Sequence, residues 1–123
     1  MRVLLVEDNP TVRKTLEWFM GRSGHEVFAV DLIALAADVA NAQRLDLIVS
    51  DFYLPDGNGV DFMRWLTAQR PVPGIAISGD PDPSIRELCL MSGFSIFLPK
   101  PVLAQMLEDA IQQLFRAEEQ KLW

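Results

Sequence analysis

The sequence predicts an α/β domain built on a five-stranded parallel sheet with five flanking helices. Three observations carry that prediction. Four short, nearly continuous apolar runs (Val3–Val6, Leu47–Val49, Ile75–Ile77 and Phe94–Leu98) and a weaker fifth, Glu26–Val30, lack the alternation of half-exposed strands. Segments with helical spacing separate them. Helix-opening and helix-closing residues stand at the junctions between the two kinds of segment. A strand–helix unit repeated five times implies right-handed crossovers and an open sheet covered on both faces.

Each element has its own grounds. The first strand stops at Glu7, and Asn9 followed by Pro10 is a good N-cap and first-turn pair. In the helix that follows, Val12, Leu16, Phe19 and Met20 fall on one face, and Gly24 closes it before the second strand. Residues Leu32 to Asn41 read as a helix that is apolar almost all round, which leaves its orientation open. After the third strand, Val60 to Gln69 forms a helix with Val60, Met63 and Leu66 as its inner face. Ser84 with Glu87 reads as a capping box for the fourth helix, and Gly93 ends it. In the last helix Val102, Leu103, Met106, Leu107, Ala110, Ile111, Leu114 and Phe115 recur as adjacent pairs every four residues. Residues 117–123 are either the end of that helix or the start of a linker.

A chain of 123 residues fits one domain, here 1–123 with a core of about 2–116, and buries roughly two-thirds of its unfolded surface. The net charge of −6, without any basic run, argues against direct nucleic-acid binding. Cys89 is the only cysteine, which excludes an intramolecular disulfide. The N-terminal apolar run is too short for a signal-peptide core or a membrane span. The expectation is a soluble, cytoplasmic domain without a membrane partner.

In open parallel sheets ligands bind at the carboxyl ends of the strands. Strand one ends in Glu7 and Asp8, strand three in Asp51, strand four in Ser78, and strand five is followed by Lys100 between two prolines. Singly, each has an ordinary reading: solvated acids, a helix cap, a turn hydroxyl, a solvated lysine. Jointly, three carboxylates, a hydroxyl and an ammonium converge on one edge. Clustered carboxylates repel one another unless a cation intervenes, and this donor set suits Mg²⁺. A carboxylate is also a covalent phosphoryl acceptor, and phosphoryl transfer needs its oxygens neutralised by a metal, an ammonium and a hydroxyl donor.

The stretches Leu4–Pro10, Asp51–Gly57, Ile77–Gly79 and Phe97–Pro101 resemble the response-regulator receiver family, in its order and at its intervals, from about Arg2 to Arg116. The resemblance implies strand order 2-1-3-4-5 and a cytoplasmic two-component or phosphorelay module. It implies Asp51 as phosphoacceptor, with Ser78 and Lys100 contacting the phosphoryl group. It implies Mg²⁺ ligation by Asp8, Asp51 and the Tyr53 backbone carbonyl, with Glu7 holding the ion through water. Ser78 and Phe97 would be the switch residues. The Lys100–Pro101 bond would be cis; the alternative is a trans bond with Pro101 opening the last helix. Two positions depart from the commoner family residues, Ser78 for threonine and Phe97 for tyrosine, and glutamate rather than aspartate at position 7 is frequent in the family. None removes the chemistry. Tyr53 and Asp80, two residues beyond the acceptor and the hydroxyl, occupy positions that tune phosphoaspartate hydrolysis in the family.

The resemblance implies a histidine kinase or histidine phosphotransfer protein as donor, an unknown output target, and a possible homodimer through the fourth- and fifth-helix face near Leu90 and Met91. Such a domain is not an enzyme; it catalyses only its own phosphorylation and dephosphorylation. The alternative is a degenerate receiver acting as an unphosphorylated scaffold. An aspartyl phosphatase needs a second aspartate where Tyr53 stands, and Glu7 and Asp8 would repel a bound pyrophosphate. His25 is expected at the surface, Cys89 packed within its helix, and Trp18 and Trp65 half-exposed.

Overall fold

The structure is a computed structural model that describes residues 1–121, with side chains through Arg116. Strands β1 (Arg2–Val6), β2 (Glu26–Val30) and β3 (Leu47–Asp51) alternate with helices α1 (Pro10–Arg22) and α2 (Ile33–Ala42). A short antiparallel ribbon, β4 (Tyr53–Leu54) and β5 (Gly57–Asn58), leads into α3 (Gly59–Thr67). Strand β6 (Gly74–Ser78), α4 (Pro83–Met91), β7 (Ile96–Pro99) and α5 (Ala104–Lys121) complete the chain. The sheet is parallel with order β2-β1-β3-β6-β7, which is the expected 2-1-3-4-5 once the ribbon is set aside. Helix α5 runs to Lys121, so 117–121 continue that helix, and residues 122–123 lie outside the described residues.

Alternate residues of each strand serve opposite faces, and this is why the runs are apolar throughout. Leu4, Val6, Ile48 and Ala76 pack with residues of α2, α3 and α4, including Ala36, Val60, Met63, Leu66 and Cys89. Val3, Leu5, Val49, Ile75 and Ile77 pack with Leu16 and Met20 of α1 and with Leu107, Ala110 and Ile111 of α5. The apolar helix α2 is thereby oriented: Ala36 and Ala40 face inward and Leu35 outward. Gly24 and Gly93 close their helices at φ of 94° and 112°, in the left-handed region where a Cβ is strained.

Four expectations are corrected. Asp82, not Ser84, caps α4: its side chain accepts from the Ser84 N–H, and Pro83 takes the first helical turn, which places Ser84 inside the helix. Strand β7 begins at Ile96 because Phe94 is spent elsewhere: its N–H bonds the Cys89 carbonyl and its ring is buried against Gly74. Helix α5 begins at Ala104, and Leu103 beside it is exposed. His25 is not a surface residue. Its side chain is only 10% exposed; Nδ1 lies 3.3 Å from the N-terminal amine and Nε2 lies 3.7 Å from a Glu108 carboxylate oxygen. Cys89 is buried, while Trp18 and Trp65 are exposed, as expected. No helix among the described residues is long and apolar enough to cross a membrane.

Candidate functional site

The sheet register brings the predicted residues to one edge. The parallel ladder continues past β1 with the Glu7 N–H on the Val30 carbonyl, and past β3 with the Phe52 N–H on the Ile77 carbonyl. Asp51 pairs in register with Ile77, and Ser78 with Pro99; the Lys100 N–H bonds the Ser78 carbonyl. Glu7, Asp51, Ser78 and Lys100 therefore hang from backbone that is already hydrogen-bonded on the sheet, and Asp8 follows Glu7 in the loop.

Glu7, Asp8 and Asp51 each offer a carboxylate oxygen, and these oxygens lie within 4.8 Å of one another. Glu7 and Asp51 are almost fully buried, while Asp8 is exposed. The Lys100 Nζ sits 3.2 Å from Glu7 Oε1 and 3.1 Å from Asp51 Oδ1, and its bond to Pro101 is cis, as the resemblance implies. Among the described residues, no hydrogen bond of good geometry reaches Glu7 Oε1 or either carboxylate oxygen of Asp51. Glu7 Oε1 and Asp51 Oδ1 have only the Lys100 ammonium and Asp51 Oδ2 has no partner among the described residues; beside the exposed Asp8 carboxylate these oxygens fit a hard divalent cation open to water on one side. The donor set thus suits Mg²⁺.

The electrostatics follow from burial. Burial, then the contact and charge of Glu7, push the Asp51 carboxyl up to about 9, against the pull of Lys100. Burial acts to raise Glu7 too, but Asp51, the Asn9 N–H and Lys100 outweigh it and hold Glu7 below its ordinary value. Two like charges this close do not both ionise, so without a metal the pair retains one proton. Burial works against the Lys100 ammonium, yet the charges of Asp51 and Glu7 prevail and raise its pKa.

Ser78 is buried at the end of β6, with its Oγ accepting the Asp80 N–H at 3.1 Å. Phe97 on β7 is half-buried against the face carrying α2, α3 and α4. Tyr53 is exposed, and its hydroxyl donates to Asp80 Oδ2 at 2.6 Å, joining the loop after β3 to the loop after β6. That bond raises the Tyr53 phenol and lowers the Asp80 carboxyl.

Sequence reasoning missed three supporting residues. Arg13 of α1 donates to the Glu7 carbonyl at 2.9 Å. Gly59 approaches so closely that a Cβ there would lie 2.3 Å from the Asp51 carbonyl oxygen. Asp56 accepts from the Ile33 and Ala34 N–H groups at 2.8 and 3.0 Å. The Asn58–Gly59 pair before an apolar run was a legible cap signal; the long-range contacts had none.

A model of the response regulator receiver domain matches residues 3–112. The chain belongs to this family. Similar proteins include the sensory/regulatory protein RpfC of Xanthomonas campestris pv. campestris, 29% identical over 93% of this chain and 16% of RpfC. The KDP operon transcriptional regulatory protein KdpE of Escherichia coli is 33% identical over 80% of this chain and 44% of KdpE. This receiver domain therefore spans less than half the length of either relative. Among solved structures, the receiver domain of sensor histidine kinase PA1611 from Pseudomonas aeruginosa superposes with a TM-score of 0.82 at 34% identity, covering 91% of this chain and 94% of that one. That structure holds a magnesium ion coordinated in its active site cleft. A CheY-like receiver from Methanospirillum hungatei, at 21% identity and a TM-score of 0.90 over 98% of this chain and 97% of that one, shares the fold.

Proposed function

We propose that this receiver domain accepts a phosphoryl group on the Asp51 carboxylate from a phosphohistidine of a histidine kinase or histidine phosphotransfer protein. The observation that carries the reading is the pair of buried Asp51 oxygens without a hydrogen bond of good geometry, beside Glu7, exposed Asp8 and Lys100. Once the proton that the acidic pair keeps is displaced on cation binding, an ionised Asp51 oxygen would form the new bond to phosphorus as the histidine nitrogen–phosphorus bond breaks and the nitrogen keeps the electron pair. Mg²⁺, when bound, neutralises charge on the transferring oxygens. Asp8, Asp51 and the Tyr53 carbonyl would ligate it, and Glu7 would hold it through water; the magnesium in the cleft of the PA1611 receiver and the cluster of Glu7, Asp8 and Asp51 support an ion at this place. Lys100 Nζ, already 3.1 Å from Asp51, supplies the ammonium for the phosphoryl oxygens, and the Ser78 hydroxyl supplies the remaining donor.

Drawing Ser78 toward the new phosphoryl group breaks its bond from the Asp80 N–H and lets Phe97 settle inward. The surface formed by α4, β7 and α5 changes with it, and the output target reads that surface. Exposed Leu90 and Met91 make it a candidate homodimer face, which sedimentation of the free and mimic-bound chain would test. The domain turns over no substrate beyond its own phosphorylation and dephosphorylation.

The test is incubation with acetyl phosphate and Mg²⁺, read by intact mass. One phosphoryl group should be added to the wild type and none to Asp51→Asn. A wild type that takes up nothing would favour the alternative of an unphosphorylated protein-binding scaffold.

A further inference from the structure

We infer that Asp56 is a positioning residue for the metal site: it moors the loop carrying the Tyr53 carbonyl to the N-terminus of α2. The inference rests on the reading of that carbonyl as a Mg²⁺ ligand.

The loop from Phe52 to Gly59 is closed at its base by the Gly59 N–H on the Phe52 carbonyl, at 2.8 Å. Its far end is the β4–β5 ribbon, whose two-residue turn is Pro55 and Asp56. Two antiparallel residue pairs do not form an independently stable unit in water. What holds this tip is α2. Leu32, the residue before that helix, makes no side-chain cap bond, so the first N–H groups of α2 lack a local acceptor. Asp56, from 23 residues away, supplies both oxygens, Oδ1 to Ile33 and Oδ2 to Ala34. These two donors hold the Asp56 carboxyl below its ordinary range. Gly57 adds a second constraint. Its φ is +149°, and a Cβ there would lie 2.9 Å from the Ile33 side chain, so the ribbon lies directly against the first residue of α2.

Tyr53 stands between the closed base and the moored tip. Its ribbon partner is Asn58, whose side chain accepts the Asp61 N–H as the cap of α3. The backbone carrying its carbonyl is therefore positioned by the starts of two helices, α2 through Asp56 and α3 through Asn58. Removing the carboxylate frees the tip while leaving Glu7, Asp8 and Asp51 in place on the sheet.

Calorimetric titration with Mg²⁺ tests this on wild type, Asp56→Ala, Asp56→Asn and Leu35→Gly. Leu35 is a residue of α2 with an exposed side chain whose N–H is not one of the two that Asp56 accepts, and glycine there weakens the helix through propensity and the packing its side chain loses. Loss of a group that orients a ligand lowers metal affinity on the order of tenfold, and that is the expected result for Asp56→Ala. Asp56→Asn keeps one acceptor oxygen and should fall between. Leu35→Gly should lower the melting temperature and leave the affinity unchanged. Wild-type affinity in Asp56→Ala, or equal weakening in Leu35→Gly, would overturn the inference. A wild type that binds no Mg²⁺ would overturn it together with the metal reading beneath it.

Discussion

Replacing Asp51 with asparagine should stabilise the metal-free domain, by an amount that grows with pH. The folded site pushes Asp51 from 3.8 up to about 9, first through burial and then through Glu7. A raised carboxylate contributes stability that is fully present below its unfolded value and is lost as pH rises through its folded value. Between the two, folding takes up a proton, and each pH unit removes about 1.4 kcal/mol. From 3.8 to pH 7 that amounts to a ceiling of about 4 kcal/mol. Glu7 is held low, so its share runs the other way, present above 4.5 and lost as pH falls, and does not offset the decline near neutrality. Asparagine keeps the shape, carries no charge at any pH, and still leaves a buried amide to satisfy. The net gain expected near pH 7 is therefore about 1–3 kcal/mol. Urea unfolding in chelator at about pH 5, 7 and 8 measures it, and the difference between the two proteins should widen with pH. Excess Mg²⁺ should close the gap by binding only the folded wild type. An Asp51→Asn protein no more stable than wild type near neutral pH, or a gain that does not vary with pH, would refute the account of the acidic pair.

Asp8→Asn removes the exposed carboxylate of the cluster and should weaken Mg²⁺ binding and block phosphorylation by acetyl phosphate; an unchanged calorimetric titration would defeat its assignment as a ligand. Lys100→Ala should leave Mg²⁺ binding intact but lower stability by about 1–2 kcal/mol, since the lysine is partly solvated. In that variant a phosphoryl mimic should no longer shift the Phe97 ring signals in NMR spectra, and a wild-type shift would remove Lys100 from the switch. Gly59→Ala places a Cβ about 1 Å inside ordinary contact with the Asp51 carbonyl, a backbone atom that yields only by moving the end of β3. About 1–3 kcal/mol of destabilisation is expected, with slower phosphorylation; full activity would show that the strand end tolerates displacement.

The architecture was legible because each strand here is buried on both faces, so runs such as Val3–Val6 and Ile75–Ile77 stood out without any periodicity argument. The site was legible for a related reason: where such a run stops, the polar residues within two positions of its end reach the sheet's carboxyl edge, as Glu7, Asp51 and Ser78 do. What escaped were contacts between residues distant in sequence. Asp56 reads as half of an Asp-Gly turn, and nothing local announces that its carboxylate caps a helix 23 residues earlier. His25 reads as a surface residue because it is a lone histidine ahead of a weak strand, whereas Glu108 of α5 covers it. Ser84 and Asp82 both carry cap chemistry, and the choice went to the residue whose successor is Pro83, already set for the first turn.

Tyr53 is the only tyrosine in the sequence, and its hydroxyl sits on Asp80 across the two loops that frame Asp51. Biosynthetic incorporation of 3-fluorotyrosine would therefore place a single ¹⁹F nucleus at that spot, with no substitution and no assignment problem. The resonance frequency would depend on whether the phenol is held by a carboxylate or released to water. Ion loading and phosphoryl transfer could then be followed in real time from one line, on a side chain whose own backbone carbonyl is a proposed ligand of the ion.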